Sequence, residues 1–150
     1  MNESKDLKRT QEFVTKLKST NSTNDKIDII KEYNDDYIIK QVLKYTYSPF
    51  KQFHLTSATV KKNKKLEPRE GYNDLFYLLD ALTKRTITGH EAIQSVKGYI
   101  QHMEEWQQDL VFCILDKNLK TRTGADLINK AIPGCVPTFK VALANSYDKQ

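Results

Sequence analysis

The stretch from residue 71 to residue 115 constrains the fold most, because its apolar side chains recur every three or four positions. Three apolar stripes follow one another there: Leu75, Leu78, Leu79 and Leu82; then Ala92, Val96, Tyr99 and Met103; then Trp106, Leu110, Cys113 and Ile114. This spacing puts apolar groups on one side of a helix, whereas a half-buried strand alternates apolar and polar residues. The stretch therefore predicts consecutive helices packed on a core, with Trp106 as a packing anchor.

Helical spacing also marks the first half of the chain. Residues 6–18, 22–33 and 35–47 each carry an apolar stripe. Pro49 ends the third stripe, because the residue before a proline is pushed out of the helical region. A short last helix is predicted from "TGADLINKAI" and ends at Pro133. The sequence thus predicts an all-α fold, a compact bundle of about seven helices.

Two segments show no helical stripe. Residues 50–68 are predicted to form an exposed, irregular and mobile connection, which carries a lysine cluster made of Lys61, Lys62, Lys64 and Lys65. Residues 133–150 contain two prolines in five positions and are predicted to be an extended tail leading away from the domain. The whole chain, residues 1–150, has the length of one domain with a single core.

Composition argues against several classes of protein. The chain has no apolar run of the ~20 residues that cross a bilayer, and its N-terminus lacks the apolar stretch of a signal peptide, so a cytoplasmic protein is expected. Cys113 and Cys135 are too few for a disulfide scaffold and are expected to be reduced and partly buried. His54, His90 and His102 are scattered, so we expect no metal site, and without a Gly-x-x-x-x-Gly-Lys loop we expect no cofactor in this chain.

The net charge of +5 is unevenly distributed along the chain. Residues 51–70 carry six basic and two acidic side chains, and residues 116–150 carry six and three, whereas residues 71–115 carry three and six. Two concentrated basic segments suit a polyanion partner, although lysine-rich surfaces also arise for solubility. Tyr and Phe do not interleave with the lysine cluster, which argues against a platform for stacking single-stranded bases.

A Thr-Gly pair stands at two predicted helix starts: Thr88–Gly89, named here the first Thr-Gly turn, and Thr123–Gly124, the second Thr-Gly turn. Glu91 and Asp126 follow the threonines by three positions, which is capping-box spacing. Each glycine is predicted at the first helical position, where the lack of a side chain would leave the free N–H groups of the first turn open to another molecule. Such N–H groups and the positive end of the helix dipole form a ready anion site.

Basic side chains flank both turns: Lys84, Arg85 and His90 at the first, and Lys117, Lys120, Arg122 and Lys130 at the second. Two such helix starts could each hold a backbone phosphate of one duplex without reading its sequence. An ordinary helix start explains each turn equally well, so the residues alone leave both interpretations open.

Four segments together suggest a family: "YTYSPFKQFHL" (45–55), "TITGHEAIQSVKGYI" (86–100), "DLVFCILDKNLKTRTGADLINKAIPGCVP" (109–137) and "ALANSYDKQ" (142–150). Their order and spacing resemble the N-terminal helical DNA-binding domain of ATP-dependent DNA ligases, especially the phage type. The resemblance extends over roughly residues 37–150 and is stronger after residue 85.

The resemblance implies sequence-independent binding of duplex or nicked DNA through backbone phosphates, by a monomer in a ligase that seals nicks in replication, repair or recombination. A phage-encoded chain would act in the host cytoplasm. The expected DNA contacts are Thr88, Gly89, His90, Lys120, Arg122, Thr123 and Gly124 from the matching motifs, with Lys117, Lys130, Lys61 and Lys62 added for their charge.

One departure limits what the resemblance implies. Ligases are adenylated on the lysine of a Lys-x-Asp-Gly motif, and here Lys26-Ile27-Asp28 is followed by Ile29 within a helical pattern. ATP and Mg²⁺ are therefore expected only in a catalytic domain that this chain does not contain. The alternative is a protein-interaction module that docks a replication clamp or another partner through "YNDLFYLL" (72–79), in the acidic segment.

Overall fold

A computed structural model describes residues 3–138, which form eight α-helices and no strand. The helices are α1 Glu3–Lys18, α2 Thr23–Glu32, α3 Tyr37–Tyr47, α4 Ser57–Lys62, α5 Leu75–Thr83, α6 Gly89–Ile100, α7 Glu105–Leu115 and α8 Ala125–Ala131. The predicted all-α class is confirmed. Within the described part of the chain, no helix is both long and apolar enough to cross a membrane.

Local sequence explains where the early helices begin and end. The side chain of Ser22 accepts a hydrogen bond from the backbone N–H of Asp25 and so caps α2, and Asp36 caps α3 through the N–H of Ile39. These caps satisfy N–H groups that have no partner inside a helix. The helix α3 ends at Tyr47, two residues before Pro49, as predicted.

The helix α4 is missing from the prediction, because residues 50–68 were expected to be irregular throughout. Thr56 caps its first turn by accepting from the N–H of Thr59 at 3.4 Å, and Val60 is its one buried residue. A single buried side chain in six residues produces no apolar period, so a pattern search could not detect this helix.

The core is continuous and α7 lies at its centre, in contact with α1, α3, α4 and α6. The helix α8 packs on α2, whereas α6 packs on α4, α5 and α7. The stripe residues Leu75, Leu78, Leu79 and Leu82 are all buried. Cys113 and Cys135 are free and half-buried, as predicted, and burial raises the pKa of both thiols.

The described beginning of the predicted tail stays against the domain. Residues 133–136 turn rather than extend, and Val136 is buried in the core. The Asn129 side chain donates to the carbonyl of Val136 and accepts from its N–H, both at 2.8 Å. Residues 139–150, where the rest of the tail prediction falls, lie outside the described residues.

Candidate nucleic-acid interface

The first Thr-Gly turn opens α6 with a backbone conformation that favours glycine. Gly89 is the first helical residue, as predicted, and its φ of +55° lies in the left-handed region. Apart from its chain neighbours and the backbone of its own helix, a Cβ built on Gly89 would meet no described atom within 4 Å, so the turn faces open space. Thr88 is the N-cap, but its side chain makes no capping bond within residues 3–138. The predicted capping box is wrong here, because Glu91 lies 3.2 Å from Arg69 in an ion pair instead.

A small cavity of about 130 Å³ lies beside the first Thr-Gly turn. Its apolar floor includes Phe53 and Ile87, and its polar rim includes His54, Arg85 and Thr88. His54 and Arg85 both have a φ of 59°, an uncommon conformation for residues with side chains. The fold therefore presents an imidazole and a guanidinium next to the uncapped start of α6.

His90 connects the first Thr-Gly turn to the lysine cluster. An open cavity of about 400 Å³ is lined by His90 together with Lys62, Lys64 and Lys65. Lys61 is also exposed, and its ammonium lies 4.9 Å from the centroid of the Phe112 ring. Two features that are almost thirty residues apart in sequence thus share one cation-rich surface.

The segment after the lysine cluster is fastened to α6. Lys97 donates to the carbonyls of Asn63 and Leu66, and the N–H of Arg69 donates to the carbonyl of Gln94 at 2.9 Å. Gly98 permits this contact, because a Cβ there would overlap the Arg69 carbonyl. The cluster predicted to be a loose connection is therefore held against the same helix that the first Thr-Gly turn begins.

The second Thr-Gly turn differs from its prediction. Gly124 is the N-cap with a φ of −137°, and α8 begins one residue later, at Ala125. A glycine at the cap has no side chain to accept a hydrogen bond, so the predicted capping box of Thr123 and Asp126 is wrong. The Thr123 hydroxyl instead lies 2.6 Å from the Thr121 hydroxyl. Apart from its chain neighbours, no described atom lies within 4 Å of a Cβ built on Gly124, so this turn is also uncovered.

Lys117 has a structural role that the sequence did not reveal. Its ammonium donates to the carbonyls of Tyr45, Ser48 and Lys51 at 3.1, 2.8 and 2.5 Å. Burial and the nearby charge of Lys51 lower the pKa of Lys117 to about 8. A lysine has three N–H donors and all three are engaged. Lys117 is therefore not available to contact DNA, contrary to the prediction from its charge.

Lys26 is the basic residue that sequence reasoning missed. It is buried, with 5% of its surface exposed, and donates from α2 to the carbonyl of Thr121 at 2.9 Å. It lines a polar cavity of about 180 Å³ with Lys18, Lys120 and Arg122. A charged lysine side chain is ordinarily expected to be exposed. Only the packing of α8 on α2 shows that this ammonium faces the loop before the second Thr-Gly turn.

The remaining predicted contacts are accessible but fall into two groups. Thr88, Gly89, His90, Lys61, Lys62, Lys120, Arg122 and Lys130 are exposed, and Thr123 and Gly124 are half-buried. The structure brings His90 together with Lys62, and Lys120 together with Arg122. The first group lies around α4 and α6, and the second lies around α2 and α8. The arrangement can attract anions at two places.

The described residues form a helical domain with two basic surfaces, and comparison with known proteins shows what the chain is similar to. The chain is homologous to the DNA ligases of Enterobacteria phages T4 and T6, with 27% identity to each over 145 residues. This alignment covers 92% of the chain but only 29% of each ligase, so the chain spans less than a third of the length of the curated relatives it matches. The resemblance to phage ligases stated from the sequence is confirmed.

Solved structures agree at the level of the fold. A structure described as "Pmar-Lig_Pre." matches with a TM-score of 0.66 and 21% identity, and "Pmar-Lig_PreS3" with 0.62 and 23%. Each match covers 81% of this chain and 29% of the other chain. No protein-family model matches this sequence.

Proposed function

We propose that this chain binds the phosphate backbone of duplex DNA, nicked or intact, as the non-catalytic DNA-binding domain of an ATP-dependent DNA ligase. The homology to two phage DNA ligases over 92% of the chain carries the proposal. The aligned part is only 29% of those ligases. We therefore propose DNA binding for this chain and assign nick sealing to a separate catalytic domain. If the chain is phage-encoded, it acts as a monomer in the host cytoplasm.

The cation-rich surfaces support a backbone-binding mode. The exposed ammonium and guanidinium groups of Lys61, Lys62, Lys120, Arg122 and Lys130 can neutralise phosphates, and the open turns at Gly89 and Gly124 let a strand approach the protein backbone. Binding through phosphates is independent of base sequence and weakens steeply with salt, because each neutralised phosphate releases counterions.

Fluorescence anisotropy with a nicked duplex and its intact counterpart, measured at several salt concentrations, tests the proposal. We expect binding to both duplexes, with an affinity that falls linearly in log–log form as salt rises. Arg122→Glu should weaken binding and leave helicity unchanged, whereas Lys8→Glu makes the same charge change at an exposed position on α1, outside both turns, and should have little effect. Absence of duplex binding at low salt would refute the proposal.

A protein-docking role is the second candidate, and the exposure of Tyr77 favours it. This side chain on α5 is 72% exposed, three residues after the N-cap Asp74 and in the most acidic segment of the chain. Exposed aromatic rings are enriched where proteins bind one another. A purified replication clamp that binds the wild-type chain but not Tyr77→Ala, with little dependence on salt, would support this role; equal binding of both chains would exclude Tyr77 from it.

A further inference from the structure

We propose that the cavity between the end of α1, the helix α2 and the loop 120–122 is a binding site for one phosphate group, with Lys26 as its buried ligand. The site deepens the proposed function and rests on it, since it assigns a specific anion contact near the second Thr-Gly turn. The residues that line the cavity are Leu17, Lys18, Thr20, Asn21, Lys26, Lys120, Thr121 and Arg122.

The charged residues that line the cavity are all basic. Lys18, Lys26, Lys120 and Arg122 line it, and none of the other lining residues in the described chain is acidic. The Asp25 carboxylate accepts a hydrogen bond from the hydroxyl of the lining residue Thr20 at 3.2 Å. Four cations around a volume of about 180 Å³ repel one another unless an anion lies between them.

Lys26 distinguishes this cavity from an ordinary lysine-rich surface. Lys26 is buried, with 5% of its surface exposed, and burying an ammonium without an anionic partner is unfavourable. The carbonyl of Thr121 takes one of its three N–H donors, and the hydrogen bonds of residues 3–138 assign no other acceptor to it. A phosphate in the cavity would supply both the missing acceptors and the missing negative charge.

The loop 120–122 is shaped to place two more cations at the same cavity. Thr121 is 2% exposed and fixed by the Lys26 ammonium on one side and the Thr123 hydroxyl on the other. Its neighbours Lys120 and Arg122 both take left-handed conformations, with φ of 61° and 58°. Such conformations are unfavourable for residues with side chains and persist only when the surrounding structure holds them. Here they hold Lys120 and Arg122 at the cavity lined by Lys26.

A cluster of four donors with this geometry recognises phosphate oxygens, which could belong to the DNA backbone or to a free phosphate ester. Hydrogen bonds between charged partners are short and strong, and Arg122 can engage two oxygens at once. Lys26, the buried lysine of the cavity, contributes a point charge and limits how deeply the phosphate enters.

Inorganic phosphate titrated into the full chain, with chloride at matched ionic strength as the reference, tests the site by backbone-amide NMR. We expect saturable shifts at Thr121 and Arg122. Lys26→Met removes the ammonium and keeps the apolar stem, and it should weaken phosphate binding about ten-fold or more. Lys31→Met removes one exposed charge from the same helix and should titrate like wild type. Unchanged amide shifts in the wild-type chain, or wild-type titration of Lys26→Met, would overturn the assignment.

A second variant covers the case in which Lys26→Met does not fold. Arg122→Gln changes an exposed side chain and should weaken phosphate binding while leaving the thermal unfolding curve unchanged. A purely structural Lys26, which only holds the loop, predicts lower stability of Lys26→Met but no saturable phosphate shifts in the wild-type chain, and this pattern would also overturn the assignment.

The source of the phosphate and the proposed function are separated by adding duplex DNA. If duplex displaces inorganic phosphate from the loop amides, the DNA backbone occupies the site; if both bind together, the ligand is a separate phosphate ester. If the wild-type chain binds phosphate at the loop but does not bind duplex, the phosphate site stands and the proposed function is refuted. If wild type and Lys26→Met bind duplex with the same salt dependence, and phosphate causes no amide shifts in wild type, the proposed function stands and the phosphate site is refuted.

Discussion

The two Thr-Gly turns look alike in sequence and are both uncovered, but they differ in backbone conformation and in where the nearby cations come from. At the first, Gly89 is the first helical residue in a left-handed conformation, and the nearby cations come from an anchored segment of distant sequence. At the second, Gly124 is an extended N-cap, and the cations come from the loop just before it and from a buried lysine of α2. The same dipeptide thus opens two helices by different means.

The difference shows that a repeated Thr-Gly motif predicts an uncovered helix start, but not its backbone conformation or the residues beside it. The left-handed conformation at Gly89 favours glycine, whereas the extended conformation at Gly124 is open to any residue. Glycine at the second turn therefore leaves space clear but is not needed for the backbone conformation. Substitution by valine at each position should therefore separate stability from binding.

The largest effect is expected at Gly98, which fastens the lysine cluster to the helix of the first turn. Gly98→Val should lower the free energy of unfolding by about 3 kcal/mol, because its Cβ would overlap the backbone of Arg69, which cannot yield as a flexible side chain would. Urea denaturation measures this. Stability equal to wild type would mean that the segment carrying the lysine cluster is not held on α6 as described.

A smaller effect is expected at the first turn itself. Gly89→Val should cost about 1–2 kcal/mol, because valine must adopt a φ near +55°. Gly124→Val is the matched comparison: its extended backbone and open surroundings admit valine, so it should cost only the N-cap preference for glycine, about 0.5–1 kcal/mol. We expect Gly124→Val to weaken duplex binding although it destabilises the chain less than Gly89→Val does. Equal destabilisation by both substitutions would contradict the contrast between the turns.

If both turns contact DNA, charges near each of them should contribute to the salt dependence of binding. Lys62→Gln near the first turn and Arg122→Gln near the second should each reduce the slope of log affinity against log salt by about 0.9, the change expected for one lost phosphate contact. The double variant should show both reductions. If only one substitution changes the slope, only the surface at that turn contacts DNA.

A pH-dependent effect is expected at Lys117, whose ammonium donates to the carbonyls of Tyr45, Ser48 and Lys51. Its pKa is lowered to about 8 in the folded chain, below the ordinary lysine value of about 10.4, so between these pH values the unfolded chain binds more protons. Stability relative to Lys117→Met should therefore increase as pH rises from about 8 to about 10.4. Urea midpoints of both chains across this range provide the measurement, and a difference independent of pH would contradict it.

Much of the helical architecture was predictable because apolar stripes recur at helical spacing over long segments. The stripes of α1, α3 and α5 predicted buried residues such as Phe13, Val42 and Leu78, which the core contains. The helix α4 was not predictable, because it buries only Val60 and forms where tertiary contacts with α6 and α7 hold it.

The site was predictable in composition but not in construction. The sequence marked the Thr-Gly turns and the basic residues beside them, because residue type determines charge and glycine content directly. It could not show that Lys117 is occupied by three carbonyls, or that Lys26 faces Thr121 across 95 residues of sequence. Such contacts depend on how distant segments pack.

The sequence by itself determined the helical class, the two uncovered helix starts and the excess of positive charge, because helical period, missing side chains and ionised groups are local properties of the chain. Only the tertiary structure decided which of those charges remain available and which face one another. The reason is physical: the packing of α8 on α2 and of the lysine cluster on α6 joins residues far apart in sequence, and no local pattern encodes that joining.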